Sequence, residues 1–381
     1  MLAVTTAGGK KLKTLGLYIH IPFCLSKCRY CDFCSFPHPK AENVKKYIDA
    51  LFCEIEEYGK ACSEYTVNTV YFGGGTPTLL EADTLSALLE KAKKTFRVTS
   101  DAEISVECNP ATADLQYFQK LRFCGFNRLS IGVQSMNDSE LKLLGRLHKA
   151  EDAKKSFADA RLAGFDNISV DVMFGIPDQT KRSLKSTLTT LCELFPDHIS
   201  LYGLKIEEGT HFAKHLSELK LPNEDDEYEM YIESSKFLAA MGYEKYEISN
   251  FAKDGRYSRH NLKYWQREDY LGLGLAAHSC MGNRRFSNTR DILKYLRGER
   301  LDTDGIISKH DILCEKIMLG MRLCDGVDFD ILGKDADGYR KKLEKFISSG
   351  HVKKDGGSLA FNDSGMYISN YVLSEVLDFE D

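Results

Sequence analysis

Six short runs rich in β-branched and aromatic residues, each followed by an amphipathic helical pattern, constrain the fold of this chain most strongly. The runs occupy residues 15–21, 69–72, 103–107, 128–133, 167–172 and 198–202. A strand followed by a helix, repeated along the chain, is typical of a parallel sheet with crossover helices. Eight such units take about 250 residues, so six need roughly 190. The sequence therefore predicts an α/β fold, an incomplete, TIM-like (β/α)6 parallel barrel.

The second half of the chain has a different pattern. An acidic connector and one further helix precede an irregular stretch. From Ser308 onward, three helical patterns are followed by two short strands joined at Asp355-Gly356-Gly357, which is typical of a β-hairpin. We expect a partial barrel at 12–240, a linker region at 241–300 and a C-terminal α+β domain of winged-helix-like architecture at 301–376.

Composition narrows the classes of partner. No apolar stretch approaches the roughly 20 residues that a membrane-spanning helix needs, and the first residues lead into a strand rather than into a secretory signal. We expect a cytoplasmic protein without a transmembrane segment. The net charge of −5, with acidic and basic residues interspersed, gives no basic stripe that could follow a phosphate backbone. Nucleic acid is therefore not an expected partner.

Clustered cysteines directly follow the first predicted strand, in YIHIPFCLSKCRYCDFCSF. In a reducing compartment, such a cluster is a candidate metal site rather than a disulfide framework. The C-x3-C-x2-C spacing of Cys24, Cys28 and Cys31 suits three irons of a cubane cluster and leaves the fourth iron open. A structural zinc site would need four ligands, usually in paired C-x2-C units. Clustering by chance on a loop stays as the alternative interpretation.

Glycines and polar residues occupy the carboxyl ends of four further predicted strands. Gly74 and Gly75 follow the second strand, Glu107 ends the third, Gln134 follows the fourth and Asp171 lies at the end of the fifth. Parallel barrels place their chemistry at this face, so we expect these residues to share one mouth with the cysteines. The alternatives are a tight turn that requires positive φ for the glycines, and helix capping or solvation for the acids.

The motifs YIHIPFC, GGGTPT, GVQS, GRLHKA and DVMFGIPDQT resemble those of radical S-adenosylmethionine (SAM) proteins of the oxygen-independent coproporphyrinogen III oxidase group. The resemblance implies a radical SAM barrel in which Cys24, Cys28 and Cys31 hold a [4Fe–4S] cluster. It also implies that the open iron is chelated by the methionyl amine and carboxylate of SAM. The implied SAM contacts are Tyr18, Gly74, Gly75, Thr76, Glu107, Gln134, Arg146 and Asp171.

Two features separate subfamilies within this group. The oxidases carry a further cysteine two positions after the third, where this chain has Phe33, and we interpret Cys34, one position beyond, as a free thiol near the cluster. The segment RHNLKYWQ contains the HNxxYW motif of HemW-type heme chaperones. The resemblance implies that His260 is a candidate heme ligand, with Tyr264 and Trp265 as an aromatic wall. The alternative is a histidine buried for structural reasons.

These observations favour a heme chaperone that binds heme and transfers it to acceptor hemoproteins, including respiratory, membrane-associated ones. The alternative is an enzyme, an oxygen-independent coproporphyrinogen III oxidase that decarboxylates propionate side chains with a SAM-derived radical. Radical-driven modification or breakdown of heme is a third hypothesis. The sequence does not decide whether SAM is cleaved, so enzymatic activity is left open.

Overall fold

A computed structural model describes residues 12–380. Residues 1–11, on which the expectation of no secretory signal partly depends, lie outside the described residues. The strands are β1 (Lys13–Ile21), β2 (Phe23–Cys24), β3 (Phe36–Pro37), β4 (Tyr65–Gly74), β5 (Val98–Cys108), β6 (Arg128–Gln134), β7 (Ile168–Phe174), β8 (His198–Gly203), β9 (Glu244–Lys245), β10 (Asn250–Ala252), β11 (Tyr270–Leu273), β12 (His278–Met281), β13 (Arg284–Asn288), β14 (Leu301–Ile306), β15 (Val327–Asp328), β16 (Val352–Asp355) and β17 (Ser358–Phe361).

Helices connect most of these strands. They are α1 (Ala41–Ala61), α2 (Ala82–Thr95), α3 (Leu115–Cys124), α4 (Asp138–Leu144), α5 (Ala150–Leu162), α6 (Lys181–Cys192), α7 (His211–Lys214), α8 (Glu224–Ala240), α9 (Arg259–Trp265), α10 (Ile292–Leu296), α11 (Lys309–Gly320), α12 (Phe329–Leu332), α13 (Asp337–Ser348), α14 (Asp363–Tyr367) and α15 (Ser369–Val376). Single 3-10 turns lie at Pro77–Leu79, Leu216–Glu218 and Lys334–Ala336.

The barrel contains the six predicted strands in chain order. Strands β1, β4, β5, β6, β7 and β8 are neighbours in that sequence, and each adjacent pair is parallel. Strand β6 is buried along its whole length, as expected for a parallel strand covered on both faces. The partial parallel barrel predicted from the sequence is therefore confirmed.

The stretch 241–300 differs from the irregular linker that we expected. Strand β10 pairs antiparallel with β8, while β11 pairs parallel with β1, and β12 and β13 continue the sheet beyond β11. The four-residue run YLGL of β11 is too short for periodicity to reveal, and its pairing with β1 depends on residues about 250 positions earlier in the chain. The strands β9 to β13 within this stretch thus extend the barrel sheet, and the three segment boundaries stay a proposal.

Strand β14 forms one end of the twelve-strand sheet and pairs with β13. All six of its residues are exposed. Asp304 on this strand forms an ion pair with Arg284 on β13, at 2.7 Å between Oδ1 and Nε. The strand therefore presents one backbone edge and charged side chains to solvent.

The C-terminal module contains helices α11 to α15 and the three-stranded sheet β15-β17-β16. The predicted hairpin is present, with β16 and β17 joined across Gly356 and Gly357. Glu315 on α11 links this module to the sheet extension, because its two carboxylate oxygens lie 2.6 Å from Arg267 Nε and 2.8 Å from Arg285 Nε. Within residues 12–380, no helix combines the length and apolarity needed to cross a membrane.

Candidate functional site at the barrel mouth

A cavity of about 580 Å³ opens at the carboxyl ends of the barrel strands and continues inward to Asn261 on α9. Ten of the twelve predicted site residues line it, while Tyr18 and His260 lie behind its wall. The barrel mouth thus brings together residues that are spread over about 150 positions of sequence. The ten are Cys24, Cys28, Cys31, Gly74, Gly75, Thr76, Glu107, Gln134, Arg146 and Asp171.

The cysteine loop is closed at its base by a short parallel pair of strands, β2 and β3. Cys24 is buried, whereas Cys28 and Cys31 are half-buried. The three sulfur atoms do not all lie within 4.8 Å of one another, so the loop does not form a tight clamp for one ion. Three separate thiols facing one cavity fit a larger group, in which each sulfur binds a different iron.

To act as metal ligands, these thiols must lose their protons, and the resulting negative charge has to be stabilised. Burial raises the pKa of the Cys31 thiol to about 11 and also raises the pKa of Cys24. Coordination to a metal deprotonates a thiol outright, so bound iron would provide the missing stabilisation. Arg146 contributes a permanent positive charge, with its Nη1 at 3.5 Å from Cys28 Sγ.

Cys34 lies outside this arrangement. Residues 33 and 35 line the cavity, but Cys34 does not, and its thiol packs against the hydrophobic core. Its backbone carbonyl lies 2.9 Å from His20 Nε2. The geometry agrees with the interpretation of Cys34 as a thiol that is not a cluster ligand.

Glycine is required at positions 74 and 75, at the end of β4, because of the backbone conformation and because of close packing. Gly74 has φ of +114°, and a Cβ at this position would lie 2.3 Å from His20 Cε1. A Cβ on Gly75 would lie 2.7 Å from the Phe23 carbonyl oxygen, at the base of the cysteine loop. Both the tight-turn interpretation and the cavity-lining interpretation therefore apply to this loop.

Hydrogen bonds hold two acidic side chains of the barrel in fixed positions, Glu107 on β5 and Asp171 on β7. Glu107 accepts hydrogen bonds from the Tyr71 hydroxyl at 2.9 Å and from the Gly74 N–H at 3.0 Å. Burial raises its pKa to about 7. Asp171 accepts from Ser130 Oγ at 3.1 Å, and burial raises the pKa of this carboxyl as well. Both groups can accept hydrogen bonds from ribose hydroxyls or an ammonium group.

Arg146 follows a left-handed turn at Gly145, with φ of +74°, which ends α4. Its guanidinium donates to Asn109 Oδ1 and to the Gly132 carbonyl. Asn109 in turn donates to Thr76 Oγ1 at 2.7 Å, and Thr76 Oγ1 lies 3.7 Å from Cys24 Sγ. Hydrogen bonds thus connect the arginine to two of the three cysteines. Sequence reasoning missed Asn109, although it directly follows β5 and the strand-end rule could have identified it.

Gln134 and Tyr18 complete the walls of the mouth. Gln134 is buried, has φ of +69°, and accepts a hydrogen bond from the Tyr202 hydroxyl at 2.6 Å. Tyr18 lies behind the lining, stacked on Tyr71 at 6.2 Å between ring centroids, with its hydroxyl 2.9 Å from His20 Nδ1. The conformations of these two side chains are therefore set by protein contacts.

His260 occupies a different environment from the one expected for an open heme ligand. It is 1% exposed, and its Nδ1 and Nε2 atoms lie 2.8 Å from Thr69 Oγ1 and from the Tyr264 hydroxyl. Burial lowers the pKa of the imidazole to about 3. The ring stacks on Tyr71 at 5.2 Å, and Tyr71 holds Glu107. Both ring nitrogens are engaged, so coordination of iron by His260 would require one of these bonds to break.

The comparisons with known proteins agree with this arrangement. The model of the radical SAM superfamily matches residues 18–191, and the model of the HemN C-terminal domain matches residues 307–368. The solved structure of coproporphyrinogen III oxidase (HemN) from Escherichia coli, described as a radical SAM enzyme, is similar with a TM-score of 0.83 and 25% identity. This similarity covers 96% of this chain and 90% of that one.

Curated relatives are similar along the full chain. The heme chaperone HemW of Haemophilus influenzae is 33% identical over 97% of this chain and 100% of its own length. That of Bacillus subtilis is 35% identical over 94% of this chain and 98% of its own. A partial parallel barrel with a three-cysteine loop at its mouth defines the radical SAM class of proteins. Within that class, the chain belongs to the family of the heme chaperone HemW.

Proposed function

We propose that this protein is a heme chaperone that binds heme and transfers it to acceptor hemoproteins. The observation that carries the proposal is similarity to curated heme chaperones over nearly the entire length of both chains. The cytoplasm as the location, and respiratory, membrane-associated proteins as the acceptors, are finer parts of the same proposal. They follow from the sequence expectations and need separate tests.

The resident cofactors are those of the radical SAM superfamily, a [4Fe–4S] cluster and SAM. We assign the cluster to Cys24, Cys28 and Cys31, since these thiols face one cavity and Arg146 offsets their negative charge. When bound, the cluster supplies one-electron chemistry and an open iron that chelates SAM. The protein's own part is to hold three thiolates on a loop whose base is packed against the glycine turn.

Positions for SAM follow from the groups at the strand ends. Glu107 and Asp171 are held by neutral donors and belong to no ion pair among the described residues, so they can accept from an amine N–H or from ribose hydroxyls. Gly74 and Gly75 allow close approach to the backbone, beside Thr76. Gln134, Arg146 and Tyr18 fix the surrounding walls through the contacts described above. These assignments support binding and orientation, and SAM cleavage is not required by them.

Coproporphyrinogen III decarboxylation is the second candidate function, favoured by the structural similarity to HemN. One residue argues against it. The position of the oxidases' additional cysteine is occupied by Phe33, which lines the cavity and is 65% exposed. An exposed aromatic ring at the cavity rim suits contact with a flat, largely apolar macrocycle, whereas it supplies no thiol.

A protein ligand for the heme iron is a further part of the proposal. His260 stays our candidate, but it is buried and doubly hydrogen-bonded, so replacing it with alanine would also leave a cavity and damage the fold. Tyr264→Phe offers a matched control, because it releases Nε2 from its partner and removes only a hydroxyl. If His260 ligates heme, His260→Phe should abolish the Soret band of imidazole-ligated heme. Tyr264→Phe should preserve or strengthen heme binding.

The decisive experiment measures two activities on one anaerobic preparation with its cluster reconstituted. We expect heme binding, followed by transfer to a heme-free respiratory hemoprotein faster than spontaneous uptake. With SAM, a reductant and coproporphyrinogen III, we expect no protoporphyrinogen. Decarboxylation without measurable heme affinity would reject the chaperone and favour the oxidase. Heme binding that is unchanged in His260→Phe would retain the function and reject only the proposed ligand.

A further inference from the structure

A second group of metal-ligating side chains lies in the C-terminal module, outside the barrel site. His310 and Cys314 are one helical turn apart on α11, and Asp378 follows α15. One ligand atom from each lies within 4.8 Å of the others, and no other group of three such residues in the described range 12–380 meets that distance. Cys314 is fully buried, while His310 is partly exposed and Asp378 exposed. Neither the function nor the barrel chemistry uses these residues.

The separations between the donor atoms fit one small ion. His310 Nε2 lies 3.7 Å from Cys314 Sγ and 3.9 Å from Asp378 Oδ1. In a tetrahedral zinc site, with Zn–S of about 2.3 Å and Zn–N of about 2.0 Å, sulfur and nitrogen lie about 3.5 Å apart. The i, i+4 spacing on α11 places the histidine and the cysteine on the same face of the helix.

Neighbouring groups orient the carboxylate toward this centre. The Tyr339 hydroxyl donates to Asp378 Oδ1 at 2.6 Å and lies 3.3 Å from both Cys314 Sγ and His310 Nε2. Lys342 Nζ lies 3.8 Å from the other carboxylate oxygen. His310 Nε2 is also 2.5 Å from the Asp378 carbonyl oxygen, so the imidazole donates to the backbone when no ion is bound.

We propose that His310, Cys314 and Asp378 bind one divalent transition-metal ion, for which zinc is the best match. A mixed set of nitrogen, sulfur and oxygen donors suits zinc, whereas calcium and magnesium prefer oxygen alone. A cavity of about 540 Å³ adjoins His310, Tyr339 and Asp378, so a water molecule can supply the fourth ligand that a tetrahedral zinc site needs. Binding converts the Cys314 thiol to a metal-bound thiolate and releases its proton to solvent.

Such an ion would fasten the segment after α15 to α11. The segment after α15 contacts this helix through Asp378, which lies beside His310 and Cys314. It also contacts the helix through Glu380, whose N–H donates to Asp311 Oδ1 at 2.9 Å. Helix α11 also carries Glu315, which joins the module to Arg267 and Arg285 of the sheet extension. The ion would therefore stabilise a helix that joins the C-terminal module to the sheet extension.

The test uses the full chain with its iron–sulfur cluster in place, dialysed anaerobically against buffered zinc, with zinc per chain measured by mass spectrometry. We expect one zinc ion in the wild type and a loss of affinity of more than about tenfold in His310→Gln and in Cys314→Ser. Cys324→Ser is the matched control, since Cys324 is a half-buried thiol of the same module outside the cluster. It should bind zinc as the wild type does.

A second measurement excludes zinc bound at the barrel mouth. In a variant with Cys24, Cys28 and Cys31 all replaced by serine, cobalt(II) should produce a thiolate charge-transfer band that disappears on adding Cys314→Ser. Equal zinc content in wild type and His310→Gln would overturn the proposal, as would the absence of that cobalt band. Either result would leave a hydrogen-bonded group around Tyr339 as the explanation. His310 is partly exposed, so its replacement tests the site without disturbing the core.

Discussion

Hydrogen bonding and burial have opposite effects on the pKa of Glu107 at the barrel mouth. Its carboxyl accepts two hydrogen bonds, from Tyr71 and from Gly74, and these favour the ionised form. Burial acts in the opposite direction and more strongly, so the pKa rises to about 7. A carboxyl with this pKa changes charge within the physiological range. Any ligand that donates a hydrogen bond to the ionised carboxylate, such as the amine or a ribose hydroxyl of SAM, will bind in a pH-dependent way.

We predict that SAM affinity falls roughly tenfold from about pH 7.5 to about pH 6, because only the ionised fraction of Glu107 is competent to bind. The pKa lies above its ordinary value, so ionisation, and with it affinity, is lost as the pH decreases through 7. Equilibrium dialysis with labelled SAM on cluster-loaded protein measures this. Glu107→Gln should bind more weakly at high pH and lack the pH step, whereas the exposed control Glu151→Gln should retain it. The same pH dependence in wild type and Glu107→Gln would reject the assignment.

Helix α9, which carries the HNxxYW motif, depends on an acid from another element. The Glu103 side chain on β5 accepts hydrogen bonds from the backbone N–H groups of Arg259 at 3.1 Å and His260 at 3.0 Å. Ser258 is the N-cap residue of the helix and accepts from the Asn261 N–H. A buried carboxylate at a helix N-terminus satisfies free donors and interacts favourably with the helix dipole. The position of His260 therefore depends on the barrel strand beneath it.

We predict that Glu103→Gln lowers the stability of the protein by about 1–3 kcal/mol, since the amide nitrogen faces a backbone donor instead of accepting from it. The midpoint of urea unfolding, followed by far-UV circular dichroism, should decrease. The exposed Glu90→Gln on α2 is the control and should leave the midpoint unchanged. If both variants unfold at the same denaturant concentration, then α9 does not depend on this carboxylate.

On the scale of the whole molecule, the C-terminal half contributes to the barrel itself. Strand β11 pairs with residues Gly16 to Ile19 of β1, and β1 is the strand that leads into the cysteine loop. The C-terminal module beyond residue 306 contacts this sheet mainly through side chains such as Glu315 and through short backbone contacts near Cys324. Removal of the sheet extension and removal of the module should therefore have different consequences.

We predict that a fragment of residues 1–306 binds the iron–sulfur cluster, whereas a fragment of residues 1–240 does not fold into a cluster-binding state. The shorter fragment lacks β10 and β11, so the outer edges of β8 and β1 are left unpaired. Iron content and the near-UV circular dichroism of the two reconstituted fragments are the measurements. A shorter fragment with full iron content would support an independent barrel at 12–240 and a separable linker.

The sequence predicted the barrel and most of its mouth because both follow from local patterns. Strand β6 is a continuous buried run, β7 is buried except at Asp171, and the carboxyl ends of parallel strands meet at one face. Glu107, Gln134 and Asp171 could thus be brought together without any long-range information. Asn109 follows the same rule and was missed because an amide after a strand is also common in turns.

These local sequence patterns could not predict contacts between residues that are distant in the chain. The burial of His260 depends on Thr69, about 190 positions earlier, and on Tyr71 of the same strand. Likewise, Asp378 approaches Cys314 only because the segment after α15 returns to α11. Such pairings are determined by tertiary packing, so neither periodicity nor motif spacing could indicate them.

The exposed end strand β14 has a consequence for self-association. An open strand with free backbone groups can pair with the same strand of a second molecule, and such pairing initiates fibres and precipitates. In β14, Asp302 and Asp304 are exposed, and strand addition would bring carboxylates of two chains together in a net acidic protein. We therefore expect Asp302, which belongs to no ion pair among the described residues, together with the net negative charge of the chain, to oppose strand addition at this edge.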